Sequence, residues 1–318
     1  RILIAEGRAT GVRFTQGNVN WTAEAAAEVI LAGGAINSPQ LLQLSGIGPG
    51  ALLAEHGIGV ERELPAVGQN LQDHYMAGLR YRLKPGVPSV NSQSHGWRLG
   101  REVLRYLIFR RGLLALSAAH VGIFCKSKPE LDAPDLQFHV LPASVDIDRL
   151  AREQRLELER KPGLSIVPNQ MRPDSRGSVR IASPDATVYP TIRANYLAEP
   201  RDQQVIVDAL KLTRRLSEQS ALSALIEAPL EPHLATADDN ELLAHARLTG
   251  TTAYHQVGTC RMGQDDDSVV DPRLRVHGVA GLRVVDASIM PRLISTNTNA
   301  AAIMIGEKAS DMILADAL

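Results

Sequence analysis

Glu28-Val29-Ile30-Leu31-Ala32-Gly33-Gly34-Ala35-Ile36-Asn37-Ser38-Pro39-Gln40-Leu41-Leu42 is the stretch on which the fold turns. A short apolar run stopped by two glycines suits a parallel strand buried on both faces. The residues after it predict a helix. Asn37 or Ser38 can cap the free amides, Pro39 sits where a missing N–H costs nothing, and Leu41, Leu42 and Leu44 supply an inward face. Gly46-Ile47-Gly48-Pro49 breaks that helix, and a second short one is expected over 51–56. The chain returns to this strand–turn–helix logic only near its end, with a strand over 282–286, a loop over 288–297 and a helix over 299–314.

Between those ends the pattern changes. Residues 1–14 read as two short strands around Glu6-Gly7-Arg8, and 64–74 as loop. Residues 97–109 and 201–219 have helical periodicity, while 135–141 and 164–171 look like strands. Arg176-Gly177-Ser178 predicts a turn joining 167–171 to 179–182. Strands followed by helices suggest an antiparallel sheet backed by helices. The expected fold class is α/β plus α+β: residues 1–75 and 249–318 form one α/β domain, interrupted by an antiparallel-sheet domain over 76–248.

Composition narrows the function. A chain of 318 residues, 44% hydrophobic and 22% charged, is that of an ordinary globular protein. A formal net charge of −1 gives no global field for nucleic acid or an anionic membrane. Two cysteines, Cys125 and Cys260, imply neither a disulfide framework nor a thiolate metal site. No Gly-x-Ser-x-Gly elbow or phosphate-binding Walker loop occurs. Arg98, Arg101, Arg105, Arg110 and Arg111 interleave with Trp97, Leu104, Leu107 and Ile108. They read as the solvated face of a helix, with a membrane-surface helix the less favoured alternative.

The chemistry gathers in Tyr254-His255-Gln256-Val257-Gly258-Thr259-Cys260-Arg261-Met262-Gly263, followed by Asp286-Ala287-Ser288-Ile289-Met290-Pro291 and Asn297-Thr298-Asn299. A histidine near its unperturbed pKa of ~6.5 is substantially neutral at physiological pH and can serve as a base. Taken alone it is more often structural. Asn297 can hold a developing alkoxide or simply cap the next helix, with Thr298 and Asn299 as rival caps. Asp286 ends a strand, where ligands bind in open α/β sheets, or caps the following turn.

These stretches, together with Gly33-Gly34-Ala35-Ile36-Asn37-Ser38-Pro39-Gln40-Leu41-Leu42 and Leu44-Ser45-Gly46-Ile47-Gly48-Pro49, resemble the glucose–methanol–choline (GMC) family of flavin oxidoreductases. The resemblance covers the carboxy-terminal portion of a family member and is nearest in character to bacterial choline and alcohol dehydrogenases. It implies an incomplete FAD-binding α/β domain, 1–75 and 249–318, around a substrate-binding domain, 76–248. It implies His255 as base, Asn297 as its neutral partner, and Ala35, Asp286, Ala287, Asn297, Thr298 and Asn299 beside the FAD. The reaction it implies is oxidation of a small-molecule alcohol to an aldehyde or ketone, hydride passing to flavin N5 and electrons onward to a quinone or oxygen. His74, in Asn70-Leu71-Gln72-Asp73-His74, is expected to be structural.

The family's amino-terminal Gly-x-Gly-x-x-Gly is not found here. The chain, opening on strand-like Ile2-Leu3-Ile4, is therefore expected to begin inside a domain and to hold FAD weakly by itself. Two alternatives stand beside the redox reading: a hydroxynitrile lyase on the same scaffold, and a catalytically silent truncated fragment. Aromatic content of 4% argues mildly against choline, whose ammonium favours an aromatic cage. The expected location is cytoplasmic, at most peripheral to the inner face of a membrane.

Overall fold

The computed structural model describes residues 1–117, 119–145 and 157–316. Its two compact units are Arg1–His74 with Arg172–Ala198 and Tyr254–Leu318, and Tyr75–Met171 with Glu199–Ala253. Strands and helices are numbered along the chain.

The first unit contains the α/β elements. β1 (Ile2–Ala5), β2 (Arg8–Gln16) and β3 (Val19–Glu24) form an antiparallel meander. β4 (Val29–Leu31) pairs in parallel with β16 (Leu282–Val284), Ile30 opposite Arg283. Two smaller pairs complete it: β5 (Ile47–Gly48) with β6 (Arg62–Glu63), and β12 (Ser178–Arg180) with β13 (Thr191–Arg193). Its helices are α1 (Gly34–Leu44), α2 (Gly50–Glu55) and α8 (Asn299–Asp316). Ile2, Val29, Leu31, Leu42, Val257, Leu282 and Val284 share one buried core, so segments from both ends of the chain close over the same apolar surface.

Arg283 binds this unit's margins. It is 4% exposed, and its guanidinium reaches Glu28 at 2.7 Å, Asp316 at 2.6 Å and the Arg273 carbonyl at 2.8 Å. A buried cation needs such complete pairing, because desolvation otherwise exceeds the Coulomb gain.

Two local expectations are corrected. The Arg176-Gly177-Ser178 turn does not return the chain to the strand before it; β12 leaves that sheet and pairs with β13, and residues 172–198 belong to the first unit. Helix α1 begins at Gly34, not after Asn37 or Ser38, and Pro39 lies inside it. An early start is possible because a distant carboxylate caps it: Gly34, at φ 75°, donates its N–H to Asp286 Oδ2 at 2.9 Å. Ser38 Oγ accepts from Gly33 N and donates to the same oxygen at 2.6 Å. Pro39 cannot donate to the Ala35 carbonyl one turn back. Thr259 Oγ1 does so instead, at 2.7 Å.

The second unit is an antiparallel sheet in the order β14 (Ile226–Pro229), β8 (Leu79–Leu83), β11 (Gly163–Gln170), β10 (Leu136–Leu141), β9 (Val121–Cys125). β7 (Tyr75–Met76) joins β11 and β15 (Thr251–Thr252) at one end. α5 (Pro200–Glu218) packs on β11, burying Val205, Ile206, Ala209 and Leu210, and Asp202 in its first turn accepts from Gln170 Nε2 at 2.9 Å. α7 (Asp239–Thr249) is held at its start by a capping box between Asp238 and Glu241. The short α3 (Val90–Gln93) and α6 (Ser220–Ser223) connect these elements, and α4 (Gly96–Phe109) lies on the surface. The mixed α/β architecture with an antiparallel sheet is the one expected from the sequence.

Candidate active site

The site grows from one antiparallel bridge inside the first unit. Gln72 and Val257 exchange both backbone hydrogen bonds, at 3.0 and 2.9 Å. Two residues outward, that register sets His74 directly opposite His255, with side chains on the same side. The two rings meet through Nδ1 and Nδ1 at 2.9 Å, their planes at 89°. His74 is fully buried and His255 is 9% exposed.

Neighbouring polar groups fix this bridge. Asp73 accepts from His255 N at 2.9 Å, from Tyr196 Oη at 2.5 Å and from Gln256 Nε2 at 3.2 Å. Gln72 grips the loop that follows β16, donating to Pro291 O and accepting from Leu293 N at 3.1 Å. Gly258, at φ 93°, passes so close to Asn70 that an added Cβ would lie 2.5 Å from its carbonyl oxygen, so only glycine fits both conformation and space.

The held loop delivers Asn297, whose Nδ2 lies 3.2 Å from His255 Nε2. The two residues, 42 apart in sequence, thus meet. A carboxamide N–H only donates, so Nε2 accepts and His255 carries its proton on Nδ1. His74 Nδ1 then accepts that proton's hydrogen bond, which places the His74 proton on Nε2. The arrangement selects the tautomer that turns a basic lone pair toward the exposed Asn297.

The remaining expected site residues fall into two groups. Asp286 has three acceptor contacts occupied by this chain: Gly34 N and Ser38 Oγ on Oδ2, Ser288 N on Oδ1 at 2.8 Å. Together with Ala35, whose carbonyl takes Thr259, it joins the α1 turn to the turn after β16. Ala287 opens that second turn and is half-buried. Asn297, Thr298 and Asn299 stand at the open end of α8, where the first amides have no partner within the helix. Sequence reasoning missed the roles of His74 and Asp73 in this cluster; the only signal was their place in the Asn70–His74 stretch.

Burial pushes the Cys260 thiol above its ordinary value, as expected of a cysteine enclosed in apolar surroundings. Among the described residues, no group of three His, Cys, Asp or Glu side chains is placed to hold a metal ion. Cavities of about 1120 and 510 Å³ flank α4 in the second unit and include none of the site residues.

Residues 1–76 match an amino-terminal family model described as GMC oxidoreductase, and residues 173–306 its carboxy-terminal counterpart. The oxygen-dependent choline dehydrogenase of Ectopseudomonas mendocina is 40% identical over 98% of this chain and 54% of its own length. The alcohol dehydrogenase [acceptor] of Pseudomonas putida is 38% identical over 99% of this chain and 56% of its own. Formate oxidase of Aspergillus oryzae RIB40, in a structure concerned with FAD modification, superposes with a TM-score of 0.91 at 27% identity, covering 99% of this chain and 59% of that one. The chain therefore spans about half the length of the curated relatives it matches. Two family matches in chain order, likeness along almost every residue and a superposable backbone agree on one conclusion: this chain belongs to the GMC oxidoreductase family.

Proposed function

We propose that this chain carries the proton-handling part of an FAD-dependent enzyme that oxidises a small alcohol to an aldehyde or ketone. The observation that supports the reading most directly is the 3.2 Å contact between His255 Nε2 and Asn297 Nδ2. It sets one acceptor and one donor side by side. An alcohol oxygen that displaces this direct contact donates its O–H to Nε2 and accepts the N–H of Asn297. As the proton passes to Nε2, charge grows on an oxygen that already faces a fixed donor. His74 acts through His255, holding the second proton on Nδ1 and keeping the lone pair on the working side. Asp73 fixes the backbone of the same residue.

The chain's residues fit the flavin end of FAD. At the mouth of α8 they present amides, the carboxamides of Asn297 and Asn299 and the Thr298 hydroxyl, a donor-rich set beside a positive helix end. The one carboxylate of the expected set, Asp286, is already engaged by three donors. Ala35 and Ala287 keep the two turns narrow, so that backbone rather than side chain meets the cofactor. FAD, when bound, supplies the acceptor for the hydride released from the carbinol carbon; a quinone or oxygen takes the electrons afterwards. The sparse aromatics favour an aliphatic alcohol over choline.

The test is anaerobic single-turnover reduction of the flavin-loaded holoenzyme by alcohol. His255→Ala should slow bleaching by about 10²–10⁴-fold, the usual worth of a positioned base. An unchanged rate removes His255 from the role. Wild-type flavin that stays oxidised under every alcohol would point instead to non-redox use of the cofactor, as in a hydroxynitrile lyase.

A further inference from the structure

Helix α4 is inside out. Of its 14 residues only Glu102, 1% exposed, is buried. Trp97, Leu104, Leu107 and Ile108, spaced to share one side of the helix, all face solvent, Trp97 at 71% and Leu107 at 61% exposure. Leu114 and Leu116 extend the apolar surface beyond the helix end. At roughly 25 cal/mol per Å² of apolar surface, a contiguous patch of this kind is costly in water and marks a surface that meets something else.

Charge identifies what it meets. Residues 96–111 hold five arginines and one glutamate, a formal +4, within a chain whose net charge is −1. The single acid is turned inward, where its carboxylate takes Leu113 N at 3.0 Å, with Arg101 at 3.5 Å and Arg105 at 3.9 Å. The outward charge of the segment is therefore wholly cationic. The guanidiniums of Arg98 and Arg101 lie 6.0 and 5.4 Å from the Trp97 ring centre, so the indole sits at the border between apolar face and positive flank. Two cavities open beside the helix. One, of about 1120 Å³, is lined by Arg98, Arg101, Arg105 and Arg160; the other, of about 510 Å³, by Arg105, Arg110, Arg111 and His120. Each has room for a phosphate group, and among the described residues Glu102 is the single carboxylate on either wall.

We propose that this face of α4 docks on an anionic phospholipid surface. Trp97, Leu104, Leu107 and Ile108 enter the acyl boundary, and the arginines take headgroup phosphates at its rim and in the flanking cavities. At about 21 Å and with six charged residues between 96 and 111, the helix lies in the interface and does not cross it. A second copy is a poor occupant, since two such cationic faces repel.

The experiment is co-sedimentation of the flavin-loaded holoenzyme with vesicles of phosphatidylcholine alone or mixed with phosphatidylglycerol. Binding is expected on the mixed vesicles, at least tenfold weaker on phosphatidylcholine, and weakened by salt. Leu104→Ser with Leu107→Ser, and separately Arg98→Glu with Arg101→Glu, should each lower binding by tenfold or more. Both double variants should keep turnover of a soluble alcohol with a soluble acceptor, which also shows that they fold. Three results would overturn the proposal: holoenzyme left in the supernatant with mixed vesicles at low salt; equal binding to both vesicle types; or a lipid-free dimer abolished by the leucine substitutions. A spin label at Leu104→Cys already immobile and shielded from an aqueous relaxation agent in lipid-free holoenzyme would assign the face to another part of the polypeptide and likewise overturn it.

Discussion

The His255 cluster and helix α4 use the same side-chain chemistry in opposite directions. In the cluster, polar groups are buried and apolar contact is secondary: His74, Asp73, Gln72 and Thr259 are each 5% exposed or less and tie together segments from the two ends of the chain. On α4 the apolar groups face out and the lone buried side chain is a carboxylate. Buried polar networks of the first kind fix a unique geometry because every misplacement leaves a group unsatisfied. An outward apolar face specifies nothing about its own unit; it specifies a partner. A network that fixes one geometry and an apolar face left open to solvent thus lie in different units.

The sharpest way to break this contrast is to truncate a leucine in each region. Leu42→Ala, in the fully buried core, should cost ~2–5 kcal/mol. Leu104→Ala, on the open face of α4, should stay within ~0.5 kcal/mol, the range of ordinary surface changes. Chemical denaturation of the holoenzyme measures both, and comparable losses would mean that α4 is covered after all.

Next in size is Thr259→Val. It removes the donor to the Ala35 carbonyl while keeping the side-chain shape, and an unsatisfied buried carbonyl should cost ~1–3 kcal/mol. Thr259→Ser should restore most of it. If valine is tolerated without loss, the cluster's polar groups are not what holds it.

The smallest effect concerns Asp316, on the exposed margin of the first unit. Hydrogen bonds from the Arg283 and Arg273 guanidiniums hold its carboxyl below the usual carboxylate value. Its contribution is therefore complete above the unfolded value of about 4 and is lost as pH falls through the lower folded value. Asp316→Asn should lower stability at neutral pH, flatten the acid limb of the pH–stability curve and match the parent once pH lies below the folded value. A parallel acid limb in the variant would show that this pairing has no effect on stability.

Much of the frame was legible in the sequence. The β4–α1 run announces itself by an apolar stretch and two glycines, and α4 and α5 by their periodicity. β3 was not legible, because all six of its residues are exposed and no buried alternation marks it. The start of α1 was misjudged because its cap is Asp286, 252 residues beyond Gly34, and no local rule sees such a partner. At the candidate site, His255 and Asn297 stood out through family resemblance. The His74 contact depends on the Gln72–Val257 register, which is set by tertiary pairing. On α4 the pattern revealed an amphipathic helix with solvated arginines, and they are exposed, but not that its apolar residues stay exposed as well while Glu102 alone is buried.

Pro39 carries a consequence for assembly. By withholding a donor, it leaves α1 with a gap in its ladder at the Ala35 carbonyl, and the missing proton arrives from Thr259, 224 positions beyond Ala35. The helix can coil early, but its hydrogen bonding is complete only once the Tyr254–Cys260 strip has docked. That same strip carries His255, so completion of the α1 hydrogen bonding and placement of the imidazole both depend on its docking.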